Sequence, residues 1–194
     1  MDQPRVPAGS PKGGQWAKSS SGATSGAVIS RGDWTKRNTP QNQIDAVYRK
    51  IWEDFPDPTE GIEAAEQAWA GGVADSGEPE AAYLVQQMPG YFNYRSDIES
   101  RVSSVFGENV PLYRSVDYEQ LLEWKGGADI GPKGFSLDRK VSENWKNFAG
   151  NAGRKQVLVK VNVSPSIIVM RGKAEEQELV VDVNWISFNT VEVL

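Results

Sequence analysis

Apolar residues recur at two different spacings along this chain, and the change of spacing divides it. In "TPQNQIDAVYRKIWEDF" the residues Ile44, Val47, Tyr48, Ile51, Trp52 and Phe55 recur at helical spacing. Thr39 is the candidate N-cap of that helix and Pro40 its first residue. "PTEGIEAAEQAWAGG" predicts a second helix stopped by Gly71 and Gly72, and "EPEAAYLVQQMPG" a third ended by Met88, Pro89 and Gly90. "YRSDIESRVSSVFG" predicts a fourth, with Ile98, Val102, Val105 and Phe106 on one face. Within this helical part Trp52, Trp69 and Tyr83 read as core aromatics, and no group of side chains forms a chemical constellation.

After Gly107 the period shortens to that of strands. "VPLYRSV" (110–116) reads as a short strand followed by the helical "DYEQLLEWKGG". "KGFSL" is another short strand, and "DRKVSENWKNFAG" a helix with a glycine stop. "KQVLVKVNV" alternates Val157, Val159, Val161 and Val163 with polar partners, the mark of a half-buried strand. "SIIVM", "ELVVDV" and "WISFNTVEVL" complete a β-rich second half. Helices first and strands afterwards predict an α+β fold rather than alternating α/β. Residues 1–38, including "PRVPAGSPKGGQWAKSSSGATSG", are too rich in Gly, Ser and Pro to offset the entropy of folding and read as a flexible tail. The expected domain is then 39–194, helical over 39–108 and β-rich over 109–194.

Composition narrows the chemistry more than it narrows the fold. The 194 residues include no cysteine and no histidine. That removes Ser-His-Asp triads, cysteine nucleophiles, disulfides and zinc sites built on imidazole or thiolate, and no metal is expected. Catalysis would rest on carboxylates, hydroxyls, Lys, Arg, Tyr or a bound small molecule. The net charge of -5 is uneven. Residues 1–39 carry six Lys/Arg against two acids, and the remainder 15 basic against 24 acidic residues. An acidic body argues against nucleic acid as a partner. No apolar run approaches the ~20 residues of a membrane span, and the N-terminus lacks the apolar core of a secretory signal peptide.

Three places carry candidate chemistry. In "KAEEQELVVDV" (173–183), taken as a strand from Glu176, alternation puts Glu176, Glu178 and Val180 on one face. Gln177, Leu179, Val181 and Val183 then form the apolar face. Two carboxylates on one face repel unless a cation or a polar ligand lies between them, or the strand start faces water. "PLYRS" sets Arg114 inside an apolar strand, where its guanidinium needs an anionic partner, either a nearby acid or a phosphate-bearing ligand. "KGFSLDRKVSENWKNF" sets Ser136 behind Phe135 at a strand end, just before a helix carrying Trp145 and Phe148.

In this order the three resemble the R-S-E signature of the arginine-specific mono-ADP-ribosyltransferases. "LYRS" is similar to that family's strand-borne arginine, "GFSLDRKVSENWKNFAG" to its aromatic-serine strand and following helix, and "EEQELVV" to its Glu-x-Glu motif. The similarity spans residues 110–194. The sister branch of the superfamily builds its site on a histidine, which this chain lacks. The family's Ser-Thr-Ser departs here to Ser136-Leu137, so Ser136 matches either family serine.

The resemblance implies a mostly antiparallel core of two sheets with an NAD cleft between them. It implies that Glu178 stabilises the ribosyl cation formed as nicotinamide leaves, and that Glu176 orients and deprotonates an acceptor arginine. Arg114 would grip the diphosphate or adjacent ribose of NAD, and Ser136 would bond the nicotinamide ribose or Glu178. Tyr113, Phe135 and Trp145 are candidates to stack on nicotinamide or adenine, or are core residues. Glu175 and Gln177 would frame the motif. The implied partner is a protein with an exposed arginine, with an immunity or inhibitor protein beside it. The implied setting is the cytoplasm of a target or host cell, reached through a secretion system or a phage. An NAD glycohydrolase using the same residues, and a non-catalytic interaction module on a degenerate fold, are the alternative readings. A carboxylate-only glycosidase leaves Arg114 without work.

Overall fold

The computed structural model describes residues 41–71, 78–147 and 153–194. Thr39, Pro40, Gly72, Phe148 and the 1–38 tail lie outside those residues. Helix α1 (Gln41–Trp52) buries Ile44, Val47, Tyr48 and Ile51, the stripe its spacing predicted. Helix α2 (Glu60–Gly71) buries Ile62, Ala65 and Trp69. Helix α3 (Glu78–Val85) stops five residues before Gly90, whose positive φ of 84° lets the chain turn directly into α4 (Tyr91–Phe106). Helix α4 starts earlier than "YRSD" suggested and buries Tyr94, Ile98, Val102 and Phe106.

Strand β1 (Val110–Asp117) leads into α5 (Tyr118–Lys125), β2 (Pro132–Ser136), α6 (Arg139–Lys146), β3 (Gln156–Val163), β4 (Ile168–Arg171) and β5 (Glu178–Asp182). Of the final "WISFNTVEVL", only Glu192–Val193 pairs, as β6. Residues Val183–Trp185 and Phe188–Thr190 form 3-10 turns instead. The strands form a sheet in the order β4-β5-β2-β1-β3-β6, antiparallel at every pairing.

The expected two-sheet core is therefore corrected: the described residues form one six-stranded sheet in an α+β fold. The physical reason is that β4 and β5 extend the edge of β2 rather than starting a second layer. Helices cover the strands instead, α3 lying on β2 and β4, α4 on β4, and α5 and α6 on β1. Buried residues of the helices and of the strands form one continuous apolar cluster. Tyr83 is also corrected. It is 43 % exposed, whereas Trp69 is buried and Trp52 packs partly buried against the core.

One partly buried ion pair ties the helical half to the sheet. Arg171 of β4 grips Glu66 of α2 through Nε (2.7 Å) and Nη2 (2.6 Å), and the Tyr94 hydroxyl donates to the same carboxylate. The guanidinium also lies over the rings of Trp52 and Phe55. Such a pair, with its hydrogen-bonding positions filled, fixes which face of α2 meets β4.

Candidate active site

The acidic motif does not run as one strand. Ala174–Glu176 form a 3-10 turn, Gln177 is left-handed (φ 46°), and β5 begins only at Glu178. A single left-handed residue between them sends Glu176 and Glu178 in different directions, so the expected shared strand face is corrected. Gln177 is buried rather than part of a simple apolar face. Its main-chain oxygen accepts from Leu137 N at 3.1 Å and its Nε2 donates to Asp45 of α1 at 3.0 Å. Glu175 stands on the same turn.

Glu178 is 7 % exposed. Its Oε2 accepts from the Trp69 indole of α2 at 2.9 Å and from the Lys173 amide at 2.8 Å. The Tyr48 hydroxyl of α1 reaches its carbonyl at 3.4 Å. Two glycines make room for the carboxylate. A Cβ on Gly134 would lie 1.6 Å from Oε1, and one on Gly172 would lie 2.4 Å from Oε2 and 2.8 Å from Glu178 Cβ. Burial pushes the Glu178 carboxyl up to about 7. The Lys173 amide and the Trp69 indole pull it down, and the Glu176 charge pushes it further up.

Ser136 lies beside Glu178 in the sheet, with Tyr113 on its other side, so Tyr113, Ser136 and Glu178 form one cross-strand row. The serine hydroxyl donates to the Glu176 carbonyl (2.5 Å) and accepts from Asp138 N (2.9 Å). It holds the glutamate turn through its backbone and does not bond the Glu178 carboxylate. Asp138 then N-caps α6, Oδ1 accepting from Lys140 N at 2.8 Å. Asp138→Ala is expected to lower stability by about 1 kcal/mol, the ordinary worth of such a cap, read from urea unfolding. An unchanged midpoint would deny the cap any energetic role.

From α6, the indole of Trp145 donates to Glu176 Oε2 at 3.1 Å. Each glutamate thus has its own tryptophan donor, from different helices.

Arg114 does not take a nearby acid as its partner. Among the described residues no carboxylate pairs with it, so it is not the cationic partner of Glu176 or Glu178. Nη1 donates to the Gly134 carbonyl at 2.5 Å, and the buried Nε has no partner. Strands β1 and β2 are registered only at Tyr113–Ser136, and the guanidinium supplies a donor that a strand amide would otherwise supply. One residue along from Tyr113, Arg114 leaves the sheet on the side of Phe135, its Cζ 6.0 Å from that ring. It lines a cavity of about 10 Å³ with Gln120, Trp124, Lys133 and Phe135. Ser136 and Glu178 belong to the other face by the same register. Tyr113 and Phe135 are both buried, whereas Trp145 is exposed.

Sequence reasoning missed Trp69, Asp45, Tyr48, Gly134 and Gly172. Trp69 offered one signal: a core tryptophan must place its N–H on an acceptor, and a buried acid must find a donor. Nothing local joins those two needs. Among the described residues no group of three or more metal-binding side chains comes together, and no helix is long and apolar enough to cross a membrane. Comparison with protein-family models, curated proteins and solved structures finds no match.

Proposed function

We propose that this chain transfers ADP-ribose from NAD to an arginine side chain of a protein and releases nicotinamide. The observation that carries the reading is the meeting of the three motifs on neighbouring strands β1, β2 and β5, with Ser136 directly beside Glu178. The resemblance of "LYRS", "GFSL" and "EEQELVV" to the R-S-E signature supplies the chemistry.

On this reading the C–N bond between nicotinamide and ribose breaks, and nicotinamide leaves with the bonding pair. Ionised Glu178 lies against the ribose and stabilises the positive charge left on it. A guanidinium nitrogen of the target forms the new bond to that carbon and passes its proton to Glu176. Ser136 acts by holding the glutamate turn through the Glu176 carbonyl. A role for Arg114 toward the diphosphate requires β1 itself to move, because the guanidinium bonds the Gly134 carbonyl and leaves the sheet on the face opposite Ser136 and Glu178. The cavity beside Arg114, about 10 Å³, has room for about one water and lies on the face opposite Glu178. The setting proposed with this activity is that of an effector toxin or a phage-encoded modifier acting inside another cell.

The test is incubation with labelled NAD and bacterial lysates, comparing wild type with Glu178→Gln. Label on protein arginines and free nicotinamide are expected from wild type, with a loss of roughly 100-fold or more in the variant. Nicotinamide without labelled protein would assign an NAD glycohydrolase. Neither product from folded protein in several lysates would sink the enzyme reading in favour of an interaction module.

A further inference from the structure

We infer that Trp69 of the helical half is a positioning residue for Glu178, one that confines any proton on that carboxyl to the oxygen facing Gly134. The inference rests on the transferase reading for its function, but its geometry stands alone.

An indole N–H donates and never accepts. Trp69 Nε1 and the Lys173 amide both donate to Oε2, so neither tolerates a proton there. Among the described residues no donor reaches Oε1, which lies over Gly134. A Cβ at that position would sit 1.6 Å from it. The proton therefore has one place to reside, and that place faces β2, the strand of Ser136. The charged form presents the same oxygen, Oε1, in the same direction.

A core tryptophan satisfied by chance is a poor account of this arrangement. Any main-chain carbonyl would accept the indole N–H without burying a carboxyl group. Here three separate pieces of chain are shaped to one carboxylate. Helix α2 supplies the indole, β2 supplies a glycine where a side chain would collide, and residues 172–173 supply a second glycine and an amide. Asp45 of α1 holds the adjacent Gln177 as well, so the helical half grips the glutamate turn at two points. The titratable and charged groups around Glu178 are Lys173 and Glu176 on its own turn and Tyr48 from α1. The Glu66–Arg171 pair of α2 and β4 acts on Tyr48 from beyond.

The experiment follows the carboxyl directly. Glu178 is titrated by carbon-detected NMR in wild type and in Trp69→Phe, which keeps an aromatic ring but removes the donor. Loss of a bond to the charged form should raise the midpoint by about one pH unit. In the activity profile, the acid limb of kcat/KM should move up by the same amount while KM for NAD stays within about twofold. Should Trp69→Phe fail to fold, the wild-type indole signal carries the test. It is expected to shift with the midpoint of Glu178, and to lose that titration in Glu178→Gln. A midpoint unmoved by Trp69→Phe, or an indole signal indifferent to Glu178, overturns the positioning role whether or not nicotinamide is released. A moved midpoint with no nicotinamide from either protein overturns the transferase reading and leaves the placement of Glu178 standing.

Discussion

Gly134→Ala is expected to abolish activity as completely as Glu178→Gln does, and to lower stability by about 2–3 kcal/mol. The added Cβ would fall 1.6 Å from Glu178 Oε1 and 2.4 Å from Cδ, separations no real structure sustains. On its other side the carboxylate packs over Gly172, where an added Cβ would lie 2.4 Å from Oε2. Either Glu178 leaves the Trp69 indole and the Lys173 amide, or β2 shifts and disturbs the Gly134 carbonyl that accepts from Arg114. A double-mutant cycle separates this collision from a general intolerance of β2. In a Glu178→Ala background the same Gly134→Ala change should cost under about 0.5 kcal/mol, because the obstructing group is gone. An equal cost in both backgrounds, measured by urea unfolding, would show that Gly134 is needed for some reason other than Glu178.

The second large effect is a pH-dependent reversal in stability between wild type and Glu178→Gln. Burial pushes the folded Glu178 carboxyl up to about 7, whereas in the unfolded chain it titrates near its ordinary value of about 4.3. Between those values the folded protein holds a proton that the unfolded chain has released. The group's contribution is therefore fully present below about pH 4 and is lost as pH rises through about 7, a swing of about 3 kcal/mol. Glutamine has the shape of the protonated acid and never ionises. Glu178→Gln should match wild type near pH 4 and exceed it by about 3 kcal/mol near pH 8. Other titrating groups are common to both proteins and cancel in the difference. Parallel stability curves across this range would mean that Glu178 is not strained by its burial. The variant that the transferase proposal expects to be inactive is thus also expected to be the more stable one at neutral pH.

Helical periodicity located α1, α2 and α4 because a helix announces its buried face within its own length: Ile44, Val47, Tyr48 and Ile51 lie on one stripe wherever the helix docks. The alternation of β3 was legible for the same reason over Val159, Val161 and Val163, which are buried with Asn162 exposed, whereas at the strand start Val157 is half-buried and Leu158 is buried. Tyr83 was misread because an aromatic in an apolar helical stretch is usually core, and only the docking of α3 exposes it. Sheet count was illegible because strand partners are distant: β5 joins β2 across more than 40 residues, and nothing in "ELVVDV" says which edge it takes. The break in the acidic motif escaped because Gln177 is not glycine, so its left-handed backbone leaves no mark in the residue type.

By itself, then, the sequence determined the α+β class, excluded chemistry based on histidine or cysteine, and singled out Arg114, Ser136, Glu176 and Glu178. The class and the exclusion follow from composition and local spacing, whereas the four residues stand out together through the resemblance of their motifs to the R-S-E signature. The tertiary structure alone decided that Glu178 is buried, that Arg114 leaves the sheet on the opposite side, and that Trp69, 109 residues away, supplies a donor to the carboxylate. The reason is electrostatic. Local spacing states which side chains leave the water, but the behaviour of a buried charge is set by the few donors within about 3 Å, and those are brought there by distant parts of the chain.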